Sequence, residues 1–258
     1  MSAALQAQAC SAGSASDPAA PLLTLRGVHT HIGAYHILHG VDLEVPEGQV
    51  TMLLGRNGAG KTTTLRTIMG LWPASQGELY FRGQPLRGLA TPDIAQQGIA
   101  YVPESMGIFS DLTVRENLLL AARRAASAAQ MDSARLDWIF GMFPAMKTFW
   151  NHPAGKLSGG QKQMLAVSRA IVEPRDLLIV DEPSKGLAPA IIDNMIEAFA
   201  QLKRSGVTLL LVEQNLFFAQ RLGDHVAVMD DGRVVHTSSM QALSNDTALQ
   251  QSLLGLSL

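Results

Sequence analysis

The sequence predicts an α/β fold with an antiparallel β subdomain at its start and a helical subdomain inserted within it. Three observations carry this. Leu177–Val180 and Val207–Val212 are wholly apolar runs of strand length, the texture of strands buried on both faces. Leu22–Gly27 and Val41–Val45 instead alternate apolar and polar residues, as half-buried antiparallel strands do. From Asp111 to Glu173 the texture turns helical, and strand–helix alternation resumes at Asp176.

Taken in order, Met1–Pro21 is rich in Ala, Ser and Gln with Asp17 as its single charge, and reads as a disordered extension (1–21) ahead of one domain spanning 22–258. It lacks the basic start and continuous apolar core of a secretory signal. The stretch between the first two strands carries His29, His31, His36 and His39. A metal site is one reading, but with no acidic partner or helical frame beside them, and spacing alone being weak evidence, they read as solvated loop and strand histidines. Pro46-Glu47-Gly48 is a turn. Val50–Leu54 is a strand, followed by Gly55-Arg56-Asn57-Gly58-Ala59-Gly60-Lys61-Thr62 and a helix with Leu65, Ile68 and Met69 on one face. Gly70 and Pro73 end that helix. Glu78–Phe81 and Gly98–Val102 are further strands.

A helix then begins near Leu112, capped by Thr113 or Asp111, with an Ala- and Arg-rich stretch continuing it. A second spans about Ser133–Phe143, and Asn151–Gly155 breaks the pattern. The helical subdomain thus covers about 111–173. Pro189 opens a later helix in the first-turn position that proline favours. Another follows near Leu216–Leu222. His225–Met229 and Arg233–Thr237 form a hairpin across Asp230-Asp231-Gly232, and the tail from Met240 is weakly helical.

Composition excludes several function classes. The 258 residues are 47% hydrophobic, with 20 basic against 22 acidic side chains and a net charge of −2, which is not the profile of a nucleic-acid binder. Cys10 is the only cysteine, so neither an intrachain disulfide nor a cysteine zinc cluster forms, in keeping with a reducing cytosol. No apolar run approaches the roughly 18 residues of a membrane helix.

The chemistry begins at Gly55–Thr62, which matches the phosphate-binding loop pattern of Gly, four residues, Gly, Lys, and Ser or Thr. Glycines let the backbone curl so that successive amides (Gly55, Arg56, Asn57, Gly58, Ala59, Gly60) face one concavity, and the helix starting at Lys61, Thr62 and Thr63 adds its N-terminal dipole. In this motif the lysine reaches the β- and γ-phosphates, and the following hydroxyl binds Mg²⁺. Ser158-Gly159-Gly160-Gln161, ahead of an apolar-periodic helix, is a second anion site at a helix start. A third motif is the apolar strand that ends in Asp181-Glu182.

Together these three motifs resemble the ATP-binding subunit of ABC transporters, over about residues 22–254. The resemblance implies a P-loop NTPase fold and a head-to-tail pair of ATPase subunits. ATP would lie between the P-loop of one subunit and the Ser158–Gln161 signature of the other. Asp181 would hold Mg²⁺, through water, and Glu182 would polarise the attacking water. Two multi-span permease subunits and, indirectly, a periplasmic solute-binding protein would complete an importer, with this chain peripheral on the cytoplasmic face of the inner membrane. Leu211–Asn215, Ser184–Pro189 and Tyr101–Glu104 resemble the ATPases of importers for branched-chain and other hydrophobic amino acids; importers of urea and short-chain amides share this look. Two other readings are a soluble ABC ATPase acting on ribosomes or DNA, and a nucleotide-binding module without turnover. The first usually brings two domains, a coiled coil or basic patches; intact Lys61, Asp181 and Glu182 argue against the second.

Several positions depart from the broader family pattern. Glu104 stands where most members have a Gln that contacts Mg²⁺ and the attacking water, so an oxygen ligand is kept and a charge added. Gln214 replaces the usual switch histidine; the subfamily shares it, and its amide donates to the γ-phosphate without titrating near neutral pH. Lys185 replaces a Leu and Ala188 an Asp. Ile32 occupies the position of the aromatic that stacks on adenine, leaving Tyr35 as the candidate substitute or as a surface residue.

Overall fold

The computed structural model describes residues 21–122, 125 and 127–255. Most of the amino-terminal extension, with Cys10, lies outside the described residues. The first strand opens at Pro21, one residue before the expected boundary.

Two sheets share the molecule. The four-stranded antiparallel sheet runs β2 (Tyr35–Pro46), β1 (Pro21–Ile32), β4 (Ala74–Phe81) and β5 (Gln84–Pro85). Leu25 of β1 faces Leu43 on one side and Leu79 on the other, so the alternating residues line one inner face. The six-stranded sheet runs β10 (Arg233–Ser239), β9 (His225–Asp230), β3 (Val50–Gly55), β8 (Thr208–Val212), β7 (Leu177–Asp181) and β6 (Ile99–Val102). Its pairs are parallel except β9–β10, which closes over Asp231 and Gly232 with φ of 42° and 71°. Two successive left-handed residues are what a tight hairpin with matching twist demands.

The period-2 geometry of the parallel strands explains their continuous hydrophobicity. Leu178, Val180, Leu209 and Leu211 point into one core with the helical layer. Leu177, Ile179, Leu210 and Val212 point into a second core against the antiparallel sheet and α1 (Lys61–Ile68). A strand buried on both faces has no polar side to show.

The inserted helices are α3 (Val114–Ala121), α4 (Ser133–Met142), α5 (Pro144–Thr148) and α6 (Gly159–Ile171). Thr113, not Asp111, caps α3. Its hydroxyl accepts from the Glu116 amide at 3.2 Å while Glu116 Oε2 accepts from the Thr113 amide at 2.8 Å. The expected Ala- and Arg-rich continuation does not hold at Ala122, which leaves helical geometry with ψ of 82°, so α3 ends at Ala121; Arg123, Arg124 and Ala126 of that stretch lie outside the described residues. Helix α5 was not anticipated. Phe143, buried against the core, breaks the chain between α4 and α5, and Pro144 restarts it at a first-turn position. The remaining elements are α2 (Thr91–Gln96), α7 (Pro189–Arg204), α8 (Leu216–Leu222), α9 (Met240–Asn245) and α10 (Thr247–Leu254).

The histidine stretch is part of a β1–β2 hairpin rather than a loop. His29 pairs with His39 and His31 with His36 across the strands. His31 and His36 stack at 4.2 Å between ring centroids, and His36 meets His39 edge-on at 4.1 Å. His29 Nδ1 lies 3.0 Å from His36 Nε2, which requires one ring to keep a bare nitrogen. The His29 pKa is held below 6.5, by desolvation first and then by the neighbouring His36 and His39. Among the described residues no group of three or more His, Cys, Asp or Glu is placed to hold a metal.

Candidate functional site

The site assembles at the carboxyl ends of β3, β7 and β8, because parallel strands deliver their following loops to the same sheet edge. Gly55 closes β3, Asp181 closes β7, and Glu213 follows β8. Two backbone bonds knit these ends together: the Glu182 amide donates to Val212 O at 2.9 Å and the Glu213 amide to Leu53 O at 3.3 Å.

The loop after β3 needs its glycines. Gly55, Gly58 and Gly60 have φ of 145°, 85° and 102°. A Cβ on Gly55 would sit 2.3 Å from the Met229 carbonyl. The loop is pinned from outside by the Gly232 amide, which donates to Ala59 O at 3.0 Å. Arg56, Asn57 and Gly58 are exposed at the rim, while Ala59, Gly60, Lys61 and Thr63 are buried and Thr62 half-buried. Lys61 Nζ curls back into the loop, donating to Gly55 O at 2.8 Å and Arg56 O at 3.0 Å. Burial lowers its pKa, against the opposing pull of Glu182, Asp181 and Glu213.

Asp181 is the most telling group. Both its carboxylate oxygens are buried, and neither has a partner of hydrogen-bond geometry among the described residues. Its pKa is pushed up, first by desolvation; the nearby Thr62 hydroxyl opposes this, and the charges of Glu182 and Glu104 reinforce it. A buried carboxylate without a partner is costly unless a ligand completes it. Hard oxygens from one carboxylate and one hydroxyl fit Mg²⁺, which takes few protein ligands and fills the rest of its shell with phosphates and water.

Glu182 sits in the left-handed region with φ of 49°, a conformation non-glycine residues adopt at a cost. Its carboxylate is gripped on both oxygens: Gln214 Nε2 donates to Oε1, and Lys185 Nζ lies 3.1 Å from Oε2. Lys185 also reaches Glu104 Oε1 at 2.5 Å. These contacts raise the Lys185 pKa, the hydrogen bond to Glu104 first. Asn57, Glu182, Ser184, Lys185, Glu213, Gln214 and Asn215 line a cleft of about 310 Å³.

Glu213 is a residue whose role sequence reasoning missed, though it lay within a quoted motif. It is buried, and its two oxygens accept from the Ser184 amide and hydroxyl, both at 2.8 Å, and from the Gln214 amide at 3.2 Å. It thereby ties the loop after Glu182 to the loop carrying Gln214. Burial raises its pKa, opposed by these hydrogen bonds. An acid directly after an apolar strand was the available signal.

The Ser158–Gln161 segment lies outside the cleft lining. Ser158 caps α6: its hydroxyl accepts from the Gln161 amide at 3.3 Å, and Gln161 Oε1 accepts from the Ser158 amide at 2.9 Å. Ser158 and Gly159 are exposed, whereas Gly160 is buried against Ile191, whose Cγ2 would stand 2.7 Å from an added Cβ. Tyr35 opens β2 opposite Ile32 and is 76% exposed, with no side-chain hydrogen bond drawn to the loop at Gly55–Thr62.

Comparison with known proteins agrees with this geometry. The ABC transporter family profile matches residues 38–185. The chain is 39% identical to the high-affinity branched-chain amino acid transport ATP-binding protein BraG of Pseudomonas aeruginosa, over 91% of this chain and all of that one. It is 32% identical to the probable branched-chain amino acid transport ATP-binding protein LivF of Archaeoglobus fulgidus, over 86% of this chain and 93% of that one. Among solved structures, an ATP-binding subunit of an ABC transporter superposes with a TM-score of 0.75 at 28% identity, covering 91% of this chain and 96% of that one. A cassette in its ADP conformation superposes at 0.78, with 24% identity over 92% and 99% of the two chains, a likeness of fold. A phosphate-binding loop, an unpartnered buried Asp181, a gripped Glu182 and a capped second helix start therefore have one common explanation: the chain belongs to the ABC transporter family, as an ATP-binding subunit that hydrolyses ATP.

Proposed function

We propose that the chain energises an importer of branched-chain or other hydrophobic amino acids. The observation that carries this is the match along the whole length of a relative named for branched-chain amino acid transport. ABC ATPase subunits work as dimers with membrane components. Here the partners are a second ATPase subunit, two multi-span permeases and a periplasmic binding protein, with the chain peripheral on the cytoplasmic side. Among the described residues no helix is long and apolar enough to cross a membrane. Leu120, exposed on α3 of the helical subdomain, is an apolar group suited to meeting the permeases.

In this reading each site residue has a task. The amides of Gly55–Thr63 cradle the phosphates, and Lys61 leaves its loop carbonyls to neutralise them. Thr62 and Asp181 would hold Mg²⁺, with Glu104 as a further oxygen donor. When bound, Mg²⁺ supplies charge neutralisation across the phosphates. Glu182 takes the proton of the attacking water, and Gln214 donates toward the γ-phosphate. Ser158, Gly159, Gly160 and Gln161 serve the nucleotide of the opposing subunit, and Tyr35 borders the adenine of the nucleotide held by this chain's own Gly55–Thr63 loop.

The test is transport. The chain is purified with its membrane partners, reconstituted with a binding protein, and supplied with ATP and labelled leucine or urea. ATP-dependent leucine uptake is expected; urea uptake without leucine uptake overturns the amino-acid reading and leaves the ATPase assignment standing.

A further inference from the structure

Two departures from the family pattern, 81 residues apart in sequence, meet in the fold. Glu104 follows β6, and Lys185 stands in the turn after Glu182. Lys185 Nζ is 2.5 Å from Glu104 Oε1 and 3.1 Å from Glu182 Oε2. The turn itself is held by the Lys185 amide donating to Glu182 O at 3.2 Å, so the ammonium is delivered back over the carboxylate. Glu104 adds a second carboxylate beside Glu182, and the two share one ammonium. A neutral Gln at 104 would not create this crowding, and a Leu at 185 could not relieve it.

We propose that Lys185 is a positioning residue for ATP hydrolysis, anchored by Glu104 and fixing the Glu182 carboxylate oxygen that Gln214 leaves free. The two departures are then one device. Lys185 cancels the charge that Glu104 adds, and Glu104 holds the flexible lysine stem where it can grip Glu182. The proposal rests on Glu182 as the general base. Lys185 and Glu104 are 58% and 47% exposed, so their ion pair adds little to folding, and its purpose is orientation.

The experiment uses the full-length chain and the variants Lys185→Leu, Lys185→Arg, Glu104→Gln and Lys185→Leu/Glu104→Gln. Phosphate release is followed across ATP concentrations, and a fluorescent ATP analogue is titrated in chelator without Mg²⁺. Lys185→Leu is expected to lower kcat about tenfold with a smaller change in KM, the pattern of a lost orientation in the transition state. Its metal-free analogue affinity should fall about threefold, because Glu104, Glu182 and Asp181 then face the phosphates with one cation fewer. The double variant should recover the metal-free affinity to within about threefold of wild type, because Glu104→Gln removes the added charge, while kcat stays low, because nothing replaces the lysine grip on Glu182. Lys185→Arg should retain most of the turnover, and melting temperatures should agree within about 2 °C. Turnover of Lys185→Leu within about twofold of wild type, or a metal-free affinity that the double variant does not recover, overturns the proposal. Glu182→Gln, run alongside, separates the two assignments. Wild-type turnover in that variant overturns the base assignment and this proposal with it. An inactive Glu182→Gln beside an unaffected Lys185→Leu overturns the role of Lys185 alone.

Discussion

The two helix starts that the sequence marks for anions are built to opposite plans. At Lys61 the chain enters the helix from a left-handed glycine with no side-chain cap, and the surroundings are buried. The charges there are poorly satisfied: Asp181 has two bare oxygens, and Lys61 is desolvated. At Ser158 the helix start is exposed and closed on itself by reciprocal Ser158–Gln161 bonds. The first plan stores unmet electrostatic demand inside the chain, which a ligand bound to this chain relieves. The second keeps the local backbone content and presents Ser158 and Gly159 outward, which suits a ligand carried by another subunit.

This contrast can be broken most forcefully at the first helix start. Lys61→Ala should weaken the fluorescent ATP analogue by about a hundredfold, because loss of one desolvated charge-assisted contact to phosphate is worth roughly 3 kcal/mol. Unchanged affinity would remove the Gly55–Thr62 loop as the phosphate site. The same loss should not appear on changing Gly159.

Glu182→Gln comes next. It keeps shape while removing the base, so steady-state phosphate release should fall by about a hundredfold or more. ATP should still bind, and sizing chromatography with ATP and Mg²⁺ should show dimer accumulating in the variant but not in wild type. A variant that stays monomeric with ATP bound would break the view that the exposed Ser158 start awaits a second subunit.

At the second helix start two neighbouring glycines should behave differently. Gly160→Ala forces the Ile191 side chain to move and should lower the melting temperature by a few degrees, the effect of about 1 kcal/mol. Gly159→Ala meets no atom within 4 Å and should leave the melting temperature alone while reducing turnover. Equal melting losses, or full turnover in Gly159→Ala, would contradict an outward-facing role.

The smallest effect concerns the hairpin beside the Lys61 loop, where the His39 amide donates to Gly232 O at 2.9 Å and Gly232 in turn holds Ala59. The folded-state His29 pKa is lowered, so the folded protein favours the neutral ring. That contribution is whole above 6.5 and is lost as pH falls from 6.5 toward the folded value. The melting temperature should therefore drop slightly on acidification through this window, and His36→Asn should flatten the drop by removing His29's nearest imidazole. Parallel pH profiles in the two proteins would mean that the stacked rings do not sense one another.

Much of this was legible in the chain alone, because the relevant physics is local. A glycine spacing that permits left-handed turns, a lysine and threonine at a helix start, and an apolar strand ending in two acids are each decided within a dozen residues. The Thr113 and Ser158 caps are local too, with reciprocal partners three residues on, though the sequence left Asp111 open beside Thr113 as the cap of α3. Other features depended on distance in sequence. That Glu104 meets Lys185, that Glu213 binds Ser184, and that four histidines cluster across a hairpin follow from strand order and register, which no single segment contains. The end of α3 at Ala121 and the separate α5 likewise broke the local expectation: Ala-rich composition favours helix, but where Phe143 buries and where the chain must turn is set by the core it packs against. Residue types and spacing marked the loop proposed to hold phosphate. Only the tertiary structure decided how the surrounding carboxylates are shared, because pairing between charges depends on separation in space and not along the chain.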